Sequence, residues 1–460
     1  MSNNEMVKIT KSKLEALSSA IRAKVDTEKT ELTLAEMIVD VVEATSPTSG
    51  TFDANGKKIK SWKELLADGD VVVNNSGALS TPSNRATRFA DVKQIIIDPS
   101  VTSLAGSVFS GCRSVTSISI PDSVTNIGNS AFSYCTVLSS IEIPTSVRSL
   151  GNDIFKGCSS LSECILPDTI TSMGYGTFTD CSNLGTANIP SSMKTVPSTM
   201  FSKCSKLSSI VIPNGITKIE HNAFSSCSSL KNIIIPNGVT SINYGVFLDC
   251  AALETVSLPN TLKIIEHDAF KNCKVLQEVI IPESVTTIGS NTFYGCKKLT
   301  SVNIPSGVTV IASYLFGSCS LLESVTMGNN VTTIESNAFY SCEKLRTVDI
   351  PNTVTSIESA AFSRSAISSV VVPSGITNLE DSVFSYCSKL SSVQLPNGLT
   401  AIGTSTFWGC TKLSSITIPN SVTSINENAF GSCTALATIY YGGTATGAPW
   451  GATNATVVSS

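Results

Sequence analysis

Only two of the 460 residues are histidine and three are tryptophan, and charged side chains make up 14% of the chain. A net charge of -4 gives no general attraction to nucleic acid or anionic lipid. Lysine and arginine are scattered, without the block that a nucleic-acid arm requires. No window approaches the roughly 18 consecutive apolar residues of a membrane span, so membrane insertion is not expected. The N-terminal MSNNEMVKITKSKLEAL lacks an apolar core and a small-residue cleavage site, which reads as no signal peptide. C-x-x-C pairs and the G-x-x-x-x-G-K-[ST] phosphate loop are also missing. Ser, Thr, Asn and Gly fill the gap left by charge, and the expected surface is neutral and rich in hydroxyls.

What the chain has is periodicity. Fifteen of its 17 phenylalanines share one register, from Phe109 through Phe132 and Phe155 to Phe362 in steps of 23, then Phe384, Phe407 and Phe430 after one step shortened to 22. The unit reads P-x-x-V-T-x-I-x-x-x-A-F-x-x-C-x-x-L-x-x-I-x-I, as in Pro236–Leu258. So short a unit cannot close a core alone, so neighbours must stack. L-x-x-I-x-I, for instance Leu207, Ile210 and Ile212, favours an extended strand. Pro213 ends it, and Pro-Asn-Gly or Pro-Ser-Gly forms the turn. V-T-x-I reads as a second extended piece, and the three-residue spacings of A-F-x-x-C-x-x-L suit a short helical turn. The expected fold is a solenoid of about 14–15 coils whose strands stack about 4.8 Å apart into a parallel sheet.

The chemistry of the repeat points away from catalysis. Fourteen of the 15 cysteines, Cys112 to Cys433, lie three residues after the phenylalanine, and Cys164 lies in a strand column. Parallel thiols one strand apart make poor disulfides, and no histidine accompanies them as a zinc site requires. They read as a buried ladder of small hydrophobes, assembled in a reducing compartment. His221 and His267 both precede a phenylalanine by three, two coils and about 10 Å apart, too far to share a metal ion. They read as solvated surface. Aspartate and glutamate show no recurrent pair for glycoside hydrolysis, and the serines have no base within reach. No enzyme activity, metal or cofactor is expected.

One column varies while the framework stays constant: the residue between the two strand isoleucines, which strand alternation points outward. Its occupants include Glu142, Asn188, Val211, Ile234, Ile280, Asn303, Asp349 and Gln394, with Ser119, Ile165, Ser257, Thr326, Val371 and Thr417 between and around them. A free column at the centre of a concave sheet is where a solenoid reads its ligand, and Val211 with Ile234 makes an apolar neighbourhood. Edge aromatics after the phenylalanine, Tyr134, Tyr294, Tyr340, Tyr386 and Trp408, form a second candidate surface suited to sugar rings or protein partners.

IPDSVTNIGNSAFSYCTVLSSI at residues 120–141 closely resembles the BspA-like class of leucine-rich repeat, and the resemblance covers about residues 92–440. It implies a leucine-rich-repeat-type solenoid and a role in surface adhesion or recognition. Gly328 in place of proline and Ser365 in place of cysteine depart from the pattern. Residues 1–46 differ in kind: Leu14, Leu17 and Ile21 have helical spacing, and Thr33 with Glu36 forms a capping box for a second helix. They read as a helical segment for attachment or self-association. Residues 8–44 resemble N-terminal segments of phage or prophage tail and fibre proteins of Gram-positive gut bacteria. Residues 47–60 read as a linker, 61–91 as an N-terminal cap with a helix and a strand, 92–438 as repeats, and 439–460 as a C-terminal cap in which Tyr440, Tyr441 and Trp450 cover the last rung. The resulting expectation is a virion protein made in the bacterial cytoplasm. Residues 1–50 would bind the phage tail or other copies of the chain, and the solenoid a bacterial surface polysaccharide or protein. The alternative is a microbial cell-surface adhesin for host matrix proteins.

Overall fold

A computed structural model describes residues 92–97 and 101–459, together with the backbone of residues 70–73. The chain winds into three-sided coils that stack in parallel register. On the first side, strands such as Asn232–Ile234, Ser301–Asn303 and Ser415–Thr417 pair with Thr255–Ser257, Ser324–Thr326 and Thr438–Tyr440 of the next coil, making a front sheet. On the second, V-T-x-I gives two-residue strands that continue from Thr195–Val196 to Thr287–Ile288 as a side sheet. The proline turn joins the two, its carbonyl accepting the N–H three residues on, as at Pro213 and Ile216 (3.0 Å).

The third side corrects the expectation of a helical turn: no helix occurs among the described residues. The residues two before and two after each phenylalanine have positive φ, for example Asn222 (56°) and Ser226 (60°) around Phe224. A left-handed residue at every fourth position stops helix propagation. It also aims alternate N–H groups along the stack. Asn222, Phe224 and Ser226 donate to Tyr244, Val246 and Leu248 of the next coil at 2.9, 3.0 and 2.7 Å. The N–H groups between them bond locally, Ser225 to Asn222 and Cys227 to Phe224, both at 3.1 Å. The three-residue spacing therefore belongs to consecutive turns.

Inside, the phenylalanine rings form one continuous column, with neighbouring centroids 5.2 Å apart at Phe339–Phe362 and 5.9 Å at Phe109–Phe132. Their planes stay within 17° of parallel. Leu, Ile and Val columns surround them and are buried, except for partly buried front-side members such as Val256, Ile350 and Val393. The hydroxyl-rich composition has a structural use as well: Ser123, Ser146 and Ser284 each donate to a carbonyl of the preceding coil at 2.6 Å. At the shortened repeat the lost residue comes from the corner between the turns and the front sheet. Ile367 fills the leucine column there, and Ser369–Val371 regains sheet register with Ser392–Gln394.

The C-terminal segment imitates a sixteenth coil. Trp450 sits 6.5 Å from Phe430 and its carbonyl accepts the Phe430 N–H at 3.0 Å, the bond a further repeat would supply. Tyr441 packs edge-on against Trp450 at 5.5 Å and donates its hydroxyl to Val422 O at 2.6 Å. Tyr440 does not join this cover. It pairs with Thr417 and is exposed, so it continues the outward column. At the other end Asp70–Val73 pairs with Gln94–Ile97 as the first rung of the front sheet. The preceding helix, the segment 1–46 and the linker 47–60 lie outside the described residues.

A break in the ring column is costly because both neighbours lose a packing face. Phe247→Ala is expected to cost about 3–5 kcal/mol in urea unfolding, whereas Trp450→Ala, a contact at one end, costs less and frays only the last coil.

Candidate recognition surfaces and the thiol column

The front strands alternate cleanly: Ser301, Val302 and Asn303 are exposed, buried and exposed. The outward column is therefore where the sequence places it. Val211 is 81% exposed, Ile234 71% and Ile280 75%, and Glu142, Asn303, Asp349 and Gln394 are also exposed. From Ile165 to Ile280 the column crosses five coil steps, about 24 Å, and carries apolar side chains at four of six positions. Singly exposed aliphatics are ordinary; an adjacent pair, Val211 and Ile234, with Ile165 and Ile280 two coils to either side, is informative.

Asn188 is the exception. It is half-buried, accepts the Leu166 N–H at 2.7 Å and donates to Leu166 O at 2.8 Å. It thus replaces a ladder bond that Ile304 and Val372 make backbone to backbone. Its role is to mend the sheet. The strands also expose a second column that sequence reasoning missed, including Ser117, Ser301, Ser324, Ser369 and Ser415, with Glu163 and Asn232. Its near-constancy made it look like framework. The front face is therefore two residues wide, a hydroxyl column beside a variable one.

The edge aromatics divide in two. Tyr134, Tyr386 and Trp408 lean along the stack over Gly157, Gly409 and Gly431 of the following coil, and a Cβ at each glycine would collide with the ring above it. Arg364 lies 4.8 Å over the Tyr386 ring. These three seal the edge by pairing a large residue with none. Tyr294 likewise covers Gly317. It also contacts Tyr314 at 5.9 Å, which in turn contacts Tyr340 at 6.4 Å, both edge to face. Tyr314 escaped sequence reasoning because it precedes its phenylalanine by two.

The scattered carboxylates and histidines share a structural task. At the corner after the side sheet, one N–H per coil points away from backbone acceptors. Glu335 and Glu358 accept it from Ser313 and Ser336 of the preceding coil at 2.8 and 3.0 Å. Asn129 and Asp381 accept it from Asn152 and Thr404 of the following coil at 2.8 and 2.6 Å. His267 does the same through Nδ1, accepting the Ser290 N–H at 3.0 Å. His221 lies 4.0 Å from Glu266, whose carboxylate accepts the Tyr244 N–H at 2.9 Å. His267 is thus more than solvated surface, since it completes a coil junction. Among the described residues no cluster of three or more His, Cys, Asp or Glu is able to hold a metal ion.

The cysteines are free and buried, and their role extends past filling space. Apart from Cys164 in its front strand, each thiol from Cys135 to Cys433 donates to the phenylalanine carbonyl of the preceding coil, at 3.1 Å for Cys227 to Phe201 and 3.3 Å for Cys296 to Phe270. That carbonyl also accepts the cysteine N–H of its own coil, 3.0 Å for Cys204 to Phe201. Column and hydrogen bond together select Cys: serine is more polar and alanine has no donor. Ser365, where the cysteine is missing, turns to the Cys387 thiol at 3.3 Å.

The coil geometry defines a leucine-rich-repeat solenoid. The model of the BspA type leucine rich repeat region matches residues 84–208, 194–322 and 309–437, and the chain belongs to that family. It is similar to a leucine-rich repeat protein from Bacteroides ovatus, 26% identical over 79% of this chain and 89% of the other, with a TM-score of 0.60. A leucine rich cell surface protein from Faecalibacterium prausnitzii is 31% identical over 70% of this chain and 84% of the other, with a TM-score of 0.42. Comparison with curated protein sequences gives no match. No helix among the described residues is long and apolar enough to cross a membrane.

Burial pushes most of the thiols up from the ordinary 9.0, to about 12 at Cys164 and Cys296 and to about 11 at Cys387, while at the end of the column the hydrogen bond from Cys410 brings Cys433 down. A folded pKa above the unfolded one means the unfolded chain loses its proton first. The stabilisation is therefore complete below pH 9 and drains as pH rises toward the folded value, by about 1.4 kcal/mol per pH unit for each such thiol. The urea midpoint is expected to be flat from pH 6 to 7.5, to begin falling near pH 8.5 and to fall steeply above pH 9. Cys296→Ala should lower the starting stability and make the alkaline slope shallower.

Proposed function

We propose that the protein is a non-catalytic recognition protein whose front sheet binds a bacterial surface component. In this reading it serves a phage or prophage tail to which residues 1–50 attach it. The carrying observation is the set of exposed aliphatic side chains Ile165, Val211, Ile234 and Ile280 in one column of the front sheet, held by a framework that does not depend on them. Fully covering one such Val or Ile side chain is worth about 1.5–3 kcal/mol, so a few of them suffice for specific binding. Aliphatic side chains beside a hydroxyl column favour a protein surface over a bare glycan, because they leave a sugar's hydroxyls unpaired. His267 and the carboxylates of Glu266, Glu335, Glu358 and Asp381 are engaged at coil junctions, which supports binding without turnover. The tail setting rests on the pattern in residues 8–44.

Two measurements test this reading. Labelled protein is expected to bind intact cells of a Gram-positive host saturably, and Val211→Asp with Ile234→Asp to weaken binding at least tenfold while leaving the melting temperature unchanged. Equal binding by the double variant would remove the front sheet from the account, and release of soluble sugar from the cells would contradict a non-catalytic role. Immunogold labelling of the producing culture, before and after prophage induction, decides the setting. Gold on tails only after induction supports it, and gold on uninduced cell surfaces assigns the chain to an adhesin.

A further inference from the structure

Tyr314 departs from its column. The residue two before each phenylalanine has positive φ in every coil, and Asn291 and Asn337 hold that place on either side of it. Asparagine tolerates the left-handed region, whereas a bulky aromatic there is strained. Tyr314 nonetheless adopts a φ of 53°. Its ring lies between Tyr294 and Tyr340, at 5.9 and 6.4 Å, with planes turned 71° and 67° from theirs. Gly317 separates Tyr294 from Tyr340 in their shared column, and a Cβ on it would lie 2.8 Å from Tyr294 and 3.1 Å from Tyr314. The three rings thus form one cluster over a position with no side chain of its own.

The framework does not require this cluster. Coils elsewhere place Ser, Thr or Lys after the phenylalanine, as at Ser202, Thr179 and Lys156, and stack just as well. The rings stay half-exposed, and among the described residues their phenol groups have no hydrogen-bond partner. Tyr134 and Tyr386 share the left-handed backbone but each stands as a single ring, whereas at Tyr314 three rings meet with aromatic surface left open, an arrangement suited to a ligand.

We propose that Tyr294, Tyr314 and Tyr340 form a saccharide-binding subsite on the turn side, for a β-1,4-linked pyranose chain. Such a chain is a flat ribbon whose equatorial linkages leave axial C–H groups on the ring faces, where an aromatic ring packs. Tyr294 and Tyr340 stand two coils apart, about 10 Å at the strand spacing, which is the length of one disaccharide of that ribbon. Tyr314 spans the interval, and Gly317, having no Cβ, leaves room for the Tyr294 and Tyr314 rings to lie over it. The phenol groups meet the sugar hydroxyls at the rim. Lys271 lies 5.9 Å from the Tyr294 centroid and is held by Asp268 at 3.1 Å, so the site presents a neutralised pair and suits an uncharged sugar. This subsite is independent of the front sheet.

Calorimetric titration of the full chain with chitohexaose, cellohexaose and the α-linked maltohexaose tests it. At least one β-linked hexamer is expected to bind saturably and maltohexaose at least tenfold more weakly. Binding of both β-linked chains assigns recognition to the ring faces. Binding of chitohexaose alone adds the acetamido group to what is recognised. Tyr314→Asn restores the neighbouring residue type, so its urea midpoint should equal or exceed the parent's while affinity falls at least tenfold. Val211→Asp with Ile234→Asp should leave this affinity unchanged, which separates failure here from failure of the front-sheet reading. No heat with either β-linked chain, equal binding of maltohexaose, or full affinity in Tyr314→Asn would overturn the proposal.

Discussion

Each coil is completed by the next one, and the junction at the phenylalanine is where this dependence concentrates. The Phe201 carbonyl takes the Cys204 N–H from its own turn and the Cys227 thiol from the coil that follows. The Phe201 N–H goes forward to Ala223 O, and its ring packs on Phe224 at 5.5 Å. One residue therefore joins local turn, sheet-like ladder and core in a single register. Shift the register and all of these contacts fail together. That coupling explains why the phenylalanine, cysteine and leucine columns hardly vary while positions a few residues away are free.

The same coupling explains how a chain with so few charges stays ordered. Polar side chains are spent on junctions between coils. Serine and threonine hydroxyls donate backward to carbonyls, and Glu335, Glu358, Asp381 and His267 take up N–H groups at the corner. Buried polar groups need partners, and a stacked coil supplies the same unpaired group at each level. A different side chain answers it from level to level, so the acidic residues look unpatterned along the sequence while doing one job.

Much of this was legible beforehand. The 23-residue step fixes the stack, strand alternation identifies Val211, Ile234 and Ile280 as outward, and parallel thiols one strand apart exclude disulfides. Three things were not. Spacing of three is shared by a helix and by successive i→i+3 turns, and only the positive φ at Asn222 and Ser226 separates them. Asn188 and Tyr440 carry no mark telling a sheet-mending or outward side chain from its column neighbours. Tyr314 joins Tyr294 and Tyr340 across a fold of the chain, and contacts between columns do not appear in a periodicity read along a single one. The framework is thus more readable than the surface, because stacking constrains the first and leaves the second to a partner.

The coil is the unit of both stability and surface. Removing one whole coil in register, Pro236–Leu258, joins Ile235 to Pro259, keeps the framework columns continuous and leaves every junction but the new one as it was. The shortened chain should fold cooperatively and stay monodisperse. The denaturant dependence of its unfolding should fall by about one-fifteenth, the share of surface one coil buries. A shortened chain that aggregates, or unfolds without a cooperative transition, would contradict the claim that nearest-neighbour stacking alone holds the molecule together.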